Sequence, residues 1–190
     1  MFEVLDLFIP GQEYWDENQN IFRYTKDTTL HLKHSLISLT RWEQKYKRKF
    51  LVEGEGPNNP EEILYYIKCM TMNREPIDEL VYQSISENDY EKVKKYIKDP
   101  MTATKVPKKP KTDEKPEKLS SELIYYYMTA LQIPFDCEKW HLSNLLTLIE
   151  LSSYKNSEAN PNAKKRSKSE IMKDYAAINK RNRAKFHTKG

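Results

Sequence analysis

Glycine is scarce in this 190-residue chain, with only Gly11, Gly54, Gly56 and Gly190. None of them stands in a G-x-G-x-x-G or P-loop pattern, so a phosphate-cradling glycine loop is excluded. Cysteine is scarcer still: Cys69 and Cys137 are too few for a disulfide framework. No apolar run reaches the roughly 18 residues that a membrane span needs. Residues 1–10 lack a basic segment and carry Glu3 and Asp6, so they do not read as a secretory signal. The expectation is a soluble, cytoplasmic protein with no membrane partner.

Aromatic residues, by contrast, are plentiful. Thirteen Tyr, six Phe and three Trp accompany a hydrophobic fraction of 38%, enough large side chains to build a core despite 32% charged residues. The net charge of +4 is unevenly spread: residues 155–190 hold eleven Lys or Arg against three acids, which leaves the first 154 residues at −4. A mildly acidic body with a basic tail suits an acidic partner without specifying its class.

Periodicity predicts an α+β fold, with a small N-terminal antiparallel sheet packed with helices and a mainly helical C-terminal region. Residues 2–9 are rich in strand formers and are closed by Pro10-Gly11. Tyr14 to Tyr24 reads as a hairpin with polar turn formers between two aromatic arms. Thr28, Leu30, Leu32 and His34 then alternate with Thr29, His31 and Lys33. From Ser35 the period lengthens, and Leu36, Leu39, Trp42 and Tyr46 mark an amphipathic helix. Asn59-Pro60-Glu61-Glu62 opens another: Asn caps, Pro fits the first turn, and the acids oppose the dipole. A short helix is predicted from Pro76, and one capped by Ser86 with Asp89 three residues on.

Residues 105–118 hold six lysines, three prolines and three acids, and read as a linker after an α+β region over 1–104. Residues 119–154 follow as a helical hairpin, its helices capped by Ser120 and Asp136. About 36 residues are too few to stand alone, so the hairpin should dock on the first region or on a partner. Residues 155–190 form a basic tail whose Ile171, Met172, Tyr175 and Ile178 trace an apolar stripe at helical spacing.

No active site is convincing. Cys137 and His141 have the spacing of half a zinc site, but no second pair matches them, and no nucleophile motif surrounds either cysteine. No cofactor or metal is expected. The apolar stripe of the tail favours docking in a protein groove over phosphate binding, although Arg181, Arg183 and Lys185 would permit nucleic-acid contact. Candidate partner-binding residues are therefore Trp42, Tyr65, Tyr66, Tyr125, Tyr126, Trp140, Ile171, Tyr175, Ile178, Arg181, Arg183 and Lys185.

Several segments carry a resemblance: LKHSLISLTRWE at 32–43, EILYYIKCM at 62–70, DPMTAT at 99–104, SELIYY at 121–126 and PFDCEKWHLS at 134–143. The end, INKRNRAKFHTKG at 178–190, is similar to the basic tails of small phage tail-morphogenesis proteins. Together, over most of the chain, they resemble tail assembly chaperones of long-tailed bacteriophages. The resemblance implies a non-enzymatic role: binding to the tape measure protein, recruitment of major tail protein and residence in the host bacterial cytoplasm during assembly. Self-association stays open. The alternative role is a structural virion component of the tail, neck or baseplate, and a third is a small nucleic-acid-binding regulator.

Overall fold

A computed structural model describes residues 4–17, 19–107 and 118–159 of the chain. The chain divides into two compact units, 1–153 and 154–190, and of the second only 154–159 are described. The fold is α+β, with the strands N-terminal and the C-terminal region helical.

The strands form two separate two-stranded antiparallel sheets rather than one. β1 (Leu5–Ile9) pairs with β4 (Thr28–Leu32), and β2 (Glu13–Asp16) pairs with β3 (Ile21–Tyr24) inside that connection. In the β1–β4 pair the alternation places Leu7, Ile9, Leu30 and Leu32 in the core and leaves Asp6, Phe8 and His31 outside. The outer edge of β4 is closed by residues 70–73. The Lys33 N–H donates to the Met70 carbonyl (2.9 Å), and the Met72 N–H donates to the His31 carbonyl (2.8 Å). The Asn73 amide then stands in for a further strand residue. Its Oδ1 accepts from the His31 N–H (2.9 Å), and its Nδ2 donates to the Thr29 carbonyl (2.8 Å). A bare strand edge would invite pairing with other chains, and this strap removes it.

The helices begin largely where their caps demand. Ser35 forms a reciprocal box with Ser38 ahead of α1 (Leu36–Tyr46). Asn59 caps α2 (Pro60–Met70), with Pro60 at its first position. Asp78, rather than Pro76, starts the short α3 (Glu79–Gln83). Ser86 caps α4 (Glu87–Lys98), and Ser120 caps α5 (Ser121–Ala130). The predicted Asp136 cap is not used. A 3-10 helix, Phe135–Lys139, follows Pro134, and α6 (Leu142–Ala159) starts after His141.

α1 is the wall shared by two hydrophobic clusters. Trp42 belongs to the first, with the inner faces of β1 and β4, Tyr66 and Ile67 of α2, and Val93 of α4. Leu36 and Leu39 belong to the second, with Ile124 and Met128 of α5 and Leu142 and Leu145 of α6. The hairpin of α5 and α6 thus docks on the N-terminal region, as its small size requires. A buried carboxylate fastens the joint: Glu43 accepts from the Phe50 N–H (2.9 Å) and from the Ser121 N–H (2.8 Å). Residues 108–117 of the expected linker lie outside the described residues.

Candidate functional site

The β2–β3 ribbon has two unlike faces. One is turned to α3: the Tyr14 hydroxyl bonds Ser84 Oγ and reaches the Leu80 carbonyl (3.4 Å). On the same face Arg23 lies 3.8 Å from Asp16 and 4.0 Å from Asp78. The other face carries Trp15 and Phe22, directly paired across the strands, with their rings edge to face at 4.8 Å. Tyr24 extends the row, and its hydroxyl donates to Glu13 Oε1 (2.7 Å), which holds the ring in place. These aromatics are exposed: Trp15 49%, Phe22 56% and Tyr24 72%. Adjacent large apolar groups left in water are uncommon on a folded surface and mark contact sites. Trp and Tyr are also the side chains most often found anchoring protein interfaces.

Tyr24 also lines a groove of about 980 Å³ that continues from the ribbon. Its floor includes Asp6, Thr29 and His31 of the outer β1–β4 face, and one wall is the segment 72–78. Asp6 and His31 are cross-strand partners joined at 2.7 Å. The groove mixes charged and apolar side chains, with Asp27, Glu75 and Asp78 beside Lys26 and Arg74, and Met72, Pro76 and Ile77 between them.

The aromatic residues singled out from the sequence and described in the structure fall into three groups. Trp42 and Tyr66 are core residues, at 0% and 2% exposure, and offer a partner nothing. Helical periodicity gave them an apolar face, but that face is covered by β1, β4 and the neighbouring helices. Tyr65, Tyr125 and Trp140 are half-buried. Lys45 Nζ sits 3.8 Å above the Tyr65 ring, and the Tyr125 hydroxyl donates to Glu138 (2.8 Å). Burial, helped by that carboxylate, pushes the Tyr125 hydroxyl up to about 12. Tyr126 is exposed at 63%, with Phe135 also exposed on the following 3-10 helix. Ile171, Tyr175, Ile178, Arg181, Arg183 and Lys185 lie outside the described residues. Sequence reasoning misses Trp15, Phe22 and Tyr24, although the signal is present. Alternation puts all three on one face of a ribbon with two strands, and such a ribbon seldom has a layer for each face.

The side chains weighed for chemistry are interior. Cys69 and Cys137 are buried, and burial pushes both thiols up, away from the nucleophilic thiolate. His141 caps α6: its Nδ1 accepts from the Ser143 N–H (3.3 Å) while Nε2 donates to the Tyr96 carbonyl (3.2 Å). That pairing fixes the neutral tautomer. His34 packs against it at 5.1 Å between rings and shares a hydrogen bond with the Tyr66 hydroxyl (2.6 Å). Burial first, and then His141, lowers His34 to about 3. The His34 carbonyl accepts from the Leu142 N–H (2.8 Å), so the pair ties the hairpin to the first cluster. Among the described residues no group of three or more His, Cys, Asp or Glu side chains is placed to hold a metal ion. No helix among them is long and apolar enough to cross a membrane.

Comparison of the chain with protein-family models, with curated proteins and with solved structures finds no match.

Proposed function

We propose that this chain is a non-enzymatic binding protein of phage tail assembly, a chaperone that holds the tape measure protein and brings major tail protein to it. One observation carries the binding part: Trp15, Phe22 and Tyr24 form a contiguous aromatic face on a ribbon whose other face is anchored to α3. Such a surface is preorganised, so a partner meets rigid rings and loses little ordering entropy in binding them. The burial of both cysteines and of His34 and His141 supports a binding role over a nucleophilic one. The sequence resemblance supplies the setting, tail morphogenesis in the cytoplasm of the host.

Mass spectrometry of purified mature virions from the phage that carries this gene tests the reading. A chaperone leaves after assembly, so the chain should be absent while tape measure and tail-tube proteins are present. Stoichiometric presence would overturn the chaperone role in favour of a structural virion component.

A further inference from the structure

The ribbon and its groove share an electrostatic bias that narrows the kind of partner. Arg23 is set against Asp16 and Asp78 on the inner face of the ribbon. What remains toward solvent is Glu13 and Glu17 beside the aromatic row, and Asp6, Asp27 and Glu75 in the groove. Among the described residues that line the groove, Lys26 and Arg74 oppose them, with His31 already joined to Asp6. Tyr24 belongs to both parts, so the exposed rings and the carboxylates form one continuous surface.

We infer that this surface binds a cationic, amphipathic segment of a partner protein, taking its apolar side chains on Trp15 and Phe22 and its Lys or Arg side chains along Tyr24 and into the groove. The inference rests on the proposed binding role and adds the chemistry of the segment that is bound. Aromatic faces attract ammonium and guanidinium groups as well as apolar ones, and flanking carboxylates strengthen that attraction. An acidic segment or a nucleic acid would meet like charge on the same surface. The whole chain carries +4. A cationic peptide is therefore repelled on average, and any tight binding reports a local site.

The test uses the full chain and a fluorescein-labelled peptide of leucine and lysine in amphipathic order, followed by fluorescence anisotropy. A second peptide has every lysine replaced by glutamate. The lysine peptide should bind saturably and the glutamate peptide should not. Trp15→Ala/Phe22→Ala and, separately, Glu13→Gln/Glu75→Gln should each weaken the lysine peptide about tenfold, while both variants stay folded, with a thermal midpoint lowered by no more than about 5–10 °C. Equal binding of the two peptides, or unchanged affinity in both double variants, would overturn the inference. The proposed function fails separately. Capture of tape measure protein that depends on Trp15 and Phe22, without binding of the lysine peptide, would remove only the cationic assignment. Peptide binding by a chain that is stoichiometric in virions would remove only the chaperone role.

Discussion

β1 and β4 bury Leu7, Ile9, Leu30 and Leu32, whereas β2 and β3 leave Trp15, Ile21, Phe22 and Tyr24 in water. The second pair is the more aromatic of the two, so residue type does not decide which sheet goes inside. Position in the chain of contacts does. The inner face of β1–β4 packs on Trp42 of α1 and Ile67 of α2, and its outer edge is closed by Met72 and Asn73. β2–β3 is anchored on one side to α3, a helix of five residues. A two-stranded ribbon with one covering layer must present its other face to solvent or to a partner. One pair therefore stabilises the fold, while the other can be spent on recognition.

Substitutions should separate the two pairs sharply. Leu30→Ala, which empties a fully buried site, should cost about 2–5 kcal/mol in urea unfolding. Acid should act on the same buried half. His34 stays neutral in the fold down to about 3, against an ordinary 6.5, so the unfolded chain takes up the proton first as pH falls. Stability from this group is complete above 6.5 and declines between 6.5 and about 3, by at most about 1.4 kcal/mol per pH unit. His34→Asn should flatten that slope in a pH series of unfolding curves, whatever its own cost at neutral pH. Asn73→Ala should cost about 1–2 kcal/mol by leaving the His31 N–H and Thr29 carbonyl unpaired, and sizing columns should show more self-association through the freed edge. Trp15→Ala and Phe22→Ala should be the mildest for stability, each about 0.5–1 kcal/mol, since both rings are half exposed and the loss includes their mutual edge-to-face contact. A large loss from Phe22→Ala would show that the ribbon helps to hold the fold, and the contrast between the pairs would collapse.

Local signals were legible where the chain needs few partners. Asn59, Ser86 and Ser120 announce three helix starts, because a cap is settled by neighbours three residues away. The hairpin of β2 and β3 was legible for the same reason. The division into two sheets was not, since Leu5 to Ile9 reaches past that hairpin to pair with β4. Asn73 gave no sign of its role: a side chain that imitates a strand is recognised only once β4 lies beside it. Trp42 and Tyr66 were misplaced because an amphipathic period says that a face is apolar but not what covers it. Asp136 fails as a cap because Pro134 starts a 3-10 helix, and His141 does the capping five residues later. The aromatic ribbon could have been found by asking which alternating faces had no second layer available.

The most direct measurement compares the wild-type chain with Trp15→Ala/Phe22→Ala, each co-expressed with the tape measure protein, following both co-elution and thermal unfolding. The expected result is a midpoint lowered by no more than about 5–10 °C and a folded variant that no longer retains the tape measure protein. Undiminished co-elution from the folded variant would contradict the assignment of the ribbon as the binding face.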